Sequence, residues 1–139
     1  MAADGDVIVI SDLEDDATAV AILEALQDGA AVLAGIDAVD GSEAIARLAD
    51  PALERHVVAT VAQRLAPRRG GGKVAVVEVT VPTDPSRNRT FADSIAERFE
   101  AGEVDLRGAL EVADDWPALK GRLGSREPGW AQPDDDVDD

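Results

Sequence analysis

Carboxylates outnumber cations 29 to 13 in this 139-residue chain, so any fold it adopts must hold a formal net charge of −16 together with almost no aromatic residues. Asp supplies 19 of the acids and Glu 10; Lys occurs only at Lys73 and Lys120, and Arg provides the other 11 cations. Self-repulsion of this size works against a compact state. The 45% of apolar residues works for it and separates the chain from acidic disordered sequences. Phe91, Phe99, Trp116 and Trp130 are the only aromatics, so the core must be built from Val, Ile, Leu and Ala. An aliphatic core buries little area per residue, and sharing it between subunits would relieve that weakness. The length fits one domain, or one small domain with tails. The acidic bias suits a protein hydrated in concentrated salt, as in a halophile, and a GC-rich bacterial or viral source explains it as well.

Several function classes are excluded as expectations. With no Cys there are no disulfides, thiolate metal sites or Cys nucleophiles. Residues 1–6 are acidic and Val7–Ile10 is a short apolar run, which does not read as a signal peptide. No stretch approaches the roughly 20 apolar residues of a membrane span. A cytoplasmic chain with no membrane contact is expected. Nucleic acid is bound through clustered cations. Here the only basic cluster is Arg68-Arg69, with Arg87 and Arg89 in a later loop, so sequence-specific binding is not expected.

Local patterns predict an α-rich α+β fold, a small helical domain with a short Val-rich β element. Residues 1–10 read as an arm or short strand. Ser11 and Glu14 have capping-box spacing, and the acids Asp12 to Asp16 favour the positive end of a helix from Asp12 to Gln27, stopped near Gly29. Ala30–Val39 reads equally as strand or helix. Asp40-Gly41 marks a turn before a short helix from Ser42. Asp50-Pro51 opens the next helix, in which Leu53, Val57, Val61 and Leu65 recur every four residues until Pro67. Gly70–Gly72 reads as a flexible joint, and Lys73–Val81 as a strand. Thr90 with Asp93 caps a helix carrying Phe91, Ile95 and Phe99, closed by Gly102. Val104, Leu106 and Leu110 form a short apolar segment, and a last helical turn runs from Trp116 to Leu123. Residues 11–123 are thus expected as one domain, and 124–139, ending in DDDVDD, as an acidic disordered tail.

Candidate chemistry is sparse. The run VIVISDLEDDATAV resembles the metal-binding start of nucleoside hydrolases and some phosphatases, with Asp12, Asp15 and Asp16 as oxygen ligands for a divalent ion. The capping pattern explains the same residues without a metal. His56, the single histidine, has no spaced partners for acid–base work. Gly70–Gly72 before Lys73 lacks the GxxxxGK[ST] spacing of a phosphate loop. Asn88-Arg89-Thr90 is a glycosylation sequon with nothing to place it outside the cell. No enzyme, metal or cofactor is expected.

Two segments, Asp50–Arg68 (DPALERHVVATVAQRLAPR) and Arg89–Leu106 (RTFADSIAERFEAGEVDL), resemble helices of the small head–tail connector, or adaptor, proteins of tailed viruses. The Val-rich strand at Lys73–Val81 departs from that helical plan. The resemblance implies a structural virion protein of the neck, a homo-oligomeric ring that joins portal to tail, contacts adjacent neck or tail proteins and lets DNA pass. In that reading Leu53, Val57, Val61, Leu65, Phe91, Ile95 and Phe99 are candidate subunit contacts. Asp12, Glu14, Asp15 and Asp16 would form a DNA-repelling acidic surface. The alternatives are a small α/β protein-binding or regulatory protein of a halophile's cytoplasm, and a metal-dependent hydrolase fragment using Asp12, Asp15 and Asp16.

Overall fold

The first strand of this computed structural model, β1 (Val7–Ile10), runs parallel to β2 (Ala31–Ala34), with Val7 opposite Ala31 and Ile10 opposite Ala34. The structure describes residues 5–48 and 50–124. Helix α1 (Asp16–Gln27) makes the crossover that a parallel pair requires, and it packs on β2. Two short helices follow, α2 (Gly41–Arg47) and α3 (Pro51–Glu54), each capped by an aspartate, Asp40 and Asp50. Strands β3 (Thr60–Pro67) and β4 (Lys73–Thr80) form a hairpin. A 3₁₀ turn at Pro85–Arg87 leads to α4 (Phe91–Glu100), α5 (Leu106–Val112) and α6 (Trp116–Leu123). The fold is a mixed helix–strand one, with more strand than the single Val-rich element expected.

The chain divides into two compact units, Met1–Ala62 with Val79–Asn88, and Gln63–Glu78 with Arg89–Asp139. They differ sharply in core. The second unit buries Ala66, Val76, Phe91, Ile95, Val104, Ala109, Leu119 and Leu123 almost completely. Its α4 packs against both α5 and α6. Arg64 binds this unit together, donating to the Val112 carbonyl at 3.0 Å and to the Asp114 carboxylate at 2.7 Å while its guanidinium lies 3.9 Å from the Phe91 ring centroid. In the first unit only Ile22 and Leu53 are buried large apolar side chains among the described residues.

The largest correction falls on the helix expected from Pro51 through Leu65. It lasts four residues as α3, and the chain is a strand from Thr60. Four-residue spacing is the cause, since positions i, i+4 and i+8 share one face of a strand as well as of a helix. The β-branched Thr60 and Val61 favour the strand. Along β3 Ala62, Arg64 and Ala66 turn inward, while Val61 and Leu65 are exposed. Helix α1 starts at Asp16, because Asp15 accepts from the Thr18 N–H at 2.6 Å and takes the cap expected of Ser11. The ambiguous Ala30–Val39 run contains β2.

Gly70–Gly72, expected as a flexible joint, form the tip of the β3–β4 hairpin. All three have φ between +79° and +112°, and the Arg68 N–H donates to the Gly72 carbonyl at 3.0 Å. The strand at Lys73, the Thr90–Asp93 capping box and the helix from Trp116 form where the sequence places them. The expected tail lies outside the described residues apart from Gly124, as do residues 1–4 of the arm.

Candidate functional site: an acidic cleft at the strand ends

In parallel sheets with helical crossovers, ligands bind beyond the carboxyl ends of the strands, where loops diverge from a rigid base. Beyond Ile10 and Ala34 this chain forms a cleft of about 490 Å³ lined by Asp12, Leu13, Glu14, Ile36, Asp37 and Arg47. Two backbone bonds fix its floor. The Gly35 N–H donates to the Ile10 carbonyl, and the Leu13 N–H donates to the Gly35 carbonyl, both at 2.9 Å. Residues 11–14 are thereby tied to the end of β2 in place of entering the helix.

The cleft is rich in acceptors. Glu14 shares a hydrogen bond with the Asp12 carboxyl, and that bond, reinforced by the charges of Asp12 and Asp15, holds Glu14 above its ordinary value. Asp15 faces the opposite situation, since the Thr18 N–H and hydroxyl stabilise its charged form and lower its pKa. Arg47 is the single cation on the wall, and it is engaged: its guanidinium lies 2.8 Å from Glu43. Glu43 accepts from the Val39 N–H at 2.7 Å, which with Arg47 lowers its pKa and fixes the start of α2.

Of the acidic residues singled out from sequence, Asp12 and Glu14 line this cleft, Asp15 is the α1 cap and Asp16 begins the helix, all four exposed. Among the described residues no three His, Asp or Glu side chains gather to hold a metal ion, so the Asp12–Asp15–Asp16 ligand set is not assembled. His56 is exposed in the turn after α3. The seven candidate subunit-contact residues fall in both units, Leu53, Val57 and Val61 in the first and Leu65, Phe91, Ile95 and Phe99 in the second. Leu53, Phe91 and Ile95 are buried within the chain, Val57 and Phe99 are partly covered, and Val61 and Leu65 are exposed. Sequence reasoning missed Asp37 and Arg47. Reading Ala31–Ala34 as the second strand of a parallel unit would have placed Asp37 just past its end.

No family model matches the sequence, and no curated protein matches it. Solved structures do. The crystal structure of the pilus retraction motor PilT with bound ADP superposes with a TM-score of 0.71 at 23% identity, covering 85% of this chain and 42% of that one. The X-ray structure of the ATPase DotB from Legionella pneumophila gives 0.66 at 19% identity, covering 78% and 38%. DotB from Yersinia pseudotuberculosis gives 0.63 at 17%, covering 78% and 37%. The chain thus spans about two fifths of the length of these proteins. This overturns the head–tail connector resemblance, whose helical plan depended on the Asp50–Arg68 helix that is absent. The ring beneath a portal, the DNA passage and the virion location fall with it. What these likenesses establish is the fold, shared with part of the pilus retraction motor PilT and of the ATPase DotB.

Proposed function

We propose that this chain is a module of a motor-ATPase fold that works within a larger assembly and does not hydrolyse nucleotide alone. One observation carries this reading: the cleft at the ends of β1 and β2, in a fold like that of an ADP-bound motor, is walled by Asp12, Glu14 and Asp37 with one engaged cation, Arg47. Nucleotide phosphates require converging donors, which a GxxxxGK[ST] loop and a helix N-terminus supply. That motif occurs nowhere in the 139 residues, and neither lysine, Lys73 or Lys120, is among the residues lining the cleft. A diphosphate therefore does not fit the cleft as this chain builds it, and no step of hydrolysis is assigned to its residues. In this reading the chain contributes a carboxylate wall and a packed helical unit, and a phosphate cradle comes from other polypeptide.

Calorimetric titration with Mg-ADP and a phosphate-release assay with ATP test the reading on the purified chain. The expected result is no saturable binding and no turnover above buffer. Saturable binding or turnover that disappears in Asp12→Asn would overturn it and make the chain an enzyme in its own right.

A further inference from the structure

Parallel sheets are found with both faces covered, and a two-stranded sheet is marginal by itself. The β1–β2 pair breaks that rule. Val7 is 69% exposed, Val9 68% and Leu33 65%. In the parallel register Val7 stands beside Ala31 and Val9 beside Leu33, so these side chains share one face. Among the described residues the sheet has no third strand, and no Lys, Pro or charge interrupts VIVI or AVLA to guard its edges. Eight of the ten large apolar side chains exposed among the described residues lie in the first unit, the one with almost no core.

The rim indicates what the face receives. Asp6 and Asp28 lie at the amino ends of the strands, and Asp12, Glu14 and Asp37 lie beyond the carboxyl ends, all exposed. A second copy would bring the same acids and another net charge of −16. The matched part of PilT is 42% of that protein, so a protein of this fold has more chain with which to extend the unit.

We propose that this face docks a separate polypeptide that adds an apolar β-strand to the β1–β2 sheet and places Lys or Arg at both ends of that strand. Backbone pairing along the open edge gives the attachment, the apolar side chains cover Val7, Val9 and Leu33, and the flanking cations meet the two acidic rims. The inference stands apart from the nucleotide reading, because it concerns the sheet face and not the cleft's chemistry.

The test is amide hydrogen exchange on the full chain, titrated with a synthetic peptide of alternating Val and Ile flanked by Lys pairs, and with the same peptide flanked by Glu pairs. The Lys-flanked peptide should slow exchange in Val7–Ile10 and Ala31–Ala34 at least tenfold and saturably, less so in molar salt, where screening is short-ranged. The Glu-flanked peptide should not. Val9→Lys should abolish the effect while leaving protection of α1, which packs on β2 in the same unit, unchanged, which shows that the unit folds in the variant. Failure of both peptides, or equal protection by both, would overturn the proposal. So would concentration-dependent dimerisation that protects the same strands without peptide, which assigns the face to a second copy. Protection present in the chain alone and lost in Trp130→Ser would overturn it too, assigning the face to the chain's own C-terminal segment.

Discussion

Gly35 stands so close to Ser11 that a Cβ on it would lie 2.3 Å from the Ser11 carbonyl oxygen. The neighbouring bond, from the Gly35 N–H to the Ile10 carbonyl, extends the parallel pairing one residue beyond the strands and sets the floor of the acidic cleft. Gly35→Ala must therefore push two backbones apart. It should cost about 1–3 kcal/mol in urea unfolding, the range for overpacking. Gly121→Ala is the matched control: it lies inside α6 with open space around its Cα and should be neutral or slightly stabilising. Equal losses in both variants would refute the role given to the Gly35–Ser11 approach.

The Asp12–Glu14 pair makes a prediction for acid titration. Glu14 is raised above 4.5 chiefly by the hydrogen bond with Asp12, so the folded state favours its neutral form. That contribution is complete below the unfolded carboxylate value and is lost as pH rises through the folded value. In Asp12→Asn the Asp12 charge is gone, and the Glu14 titration followed by side-chain NMR should move down toward 4.5. An unchanged Glu14 midpoint would mean that the two carboxyls do not share the bond.

The capping box of α4 has the opposite sign. Asp93 accepts from the Thr90 N–H at 3.0 Å and Thr90 from the Asp93 N–H at 3.1 Å. The Thr90 N–H bond, with help from the Thr90 hydroxyl, Arg122 and Arg89, lowers the Asp93 pKa below 3.8. Its stabilisation is present above the unfolded value and is lost as pH falls through the folded one. Thr90→Ala should cost about 1 kcal/mol at neutral pH. Asp93→Asn should lower the melting temperature at pH 7 more than at pH 2.5, and parallel curves for variant and parent would contradict the assignment.

Arg64 joins three partners that a lysine cannot hold together, the Val112 carbonyl, the Asp114 carboxylate and the Phe91 ring. Arg64→Lys loses the planar fork and its stacking, and should destabilise by about 1–2 kcal/mol. Asp114 is the smaller part of this, because its side chain is 61% exposed. A double-mutant cycle on Arg64 and Asp114 should give a coupling below about 1 kcal/mol. A coupling as large as the whole Arg64→Lys loss would transfer the role from the ring and carbonyl to the ion pair.

The sequence by itself determined the elements whose signals are local. The Thr90–Asp93 box, the Val-rich β4, the Gly102 stop and the helix from Trp116 need only neighbouring residues to form, and they lie where composition and spacing put them. Asp50-Pro51 also starts a helix, but nothing local states that it ends at Glu54, since the four-residue recurrence of Val57, Val61 and Leu65 satisfies strand and helix alike. Only tertiary structure decided that stretch, because β4 supplies the backbone partners that make β3 a strand. The same holds for the cleft. Asp12 and Glu14 were visible as acids, but Asp37 and Arg47 join them only because β2 pairs in parallel with β1 and Gly35 lets the two loops meet. A pairing between residues more than twenty positions apart leaves no periodic trace in the chain, and so the site had to be read from the fold.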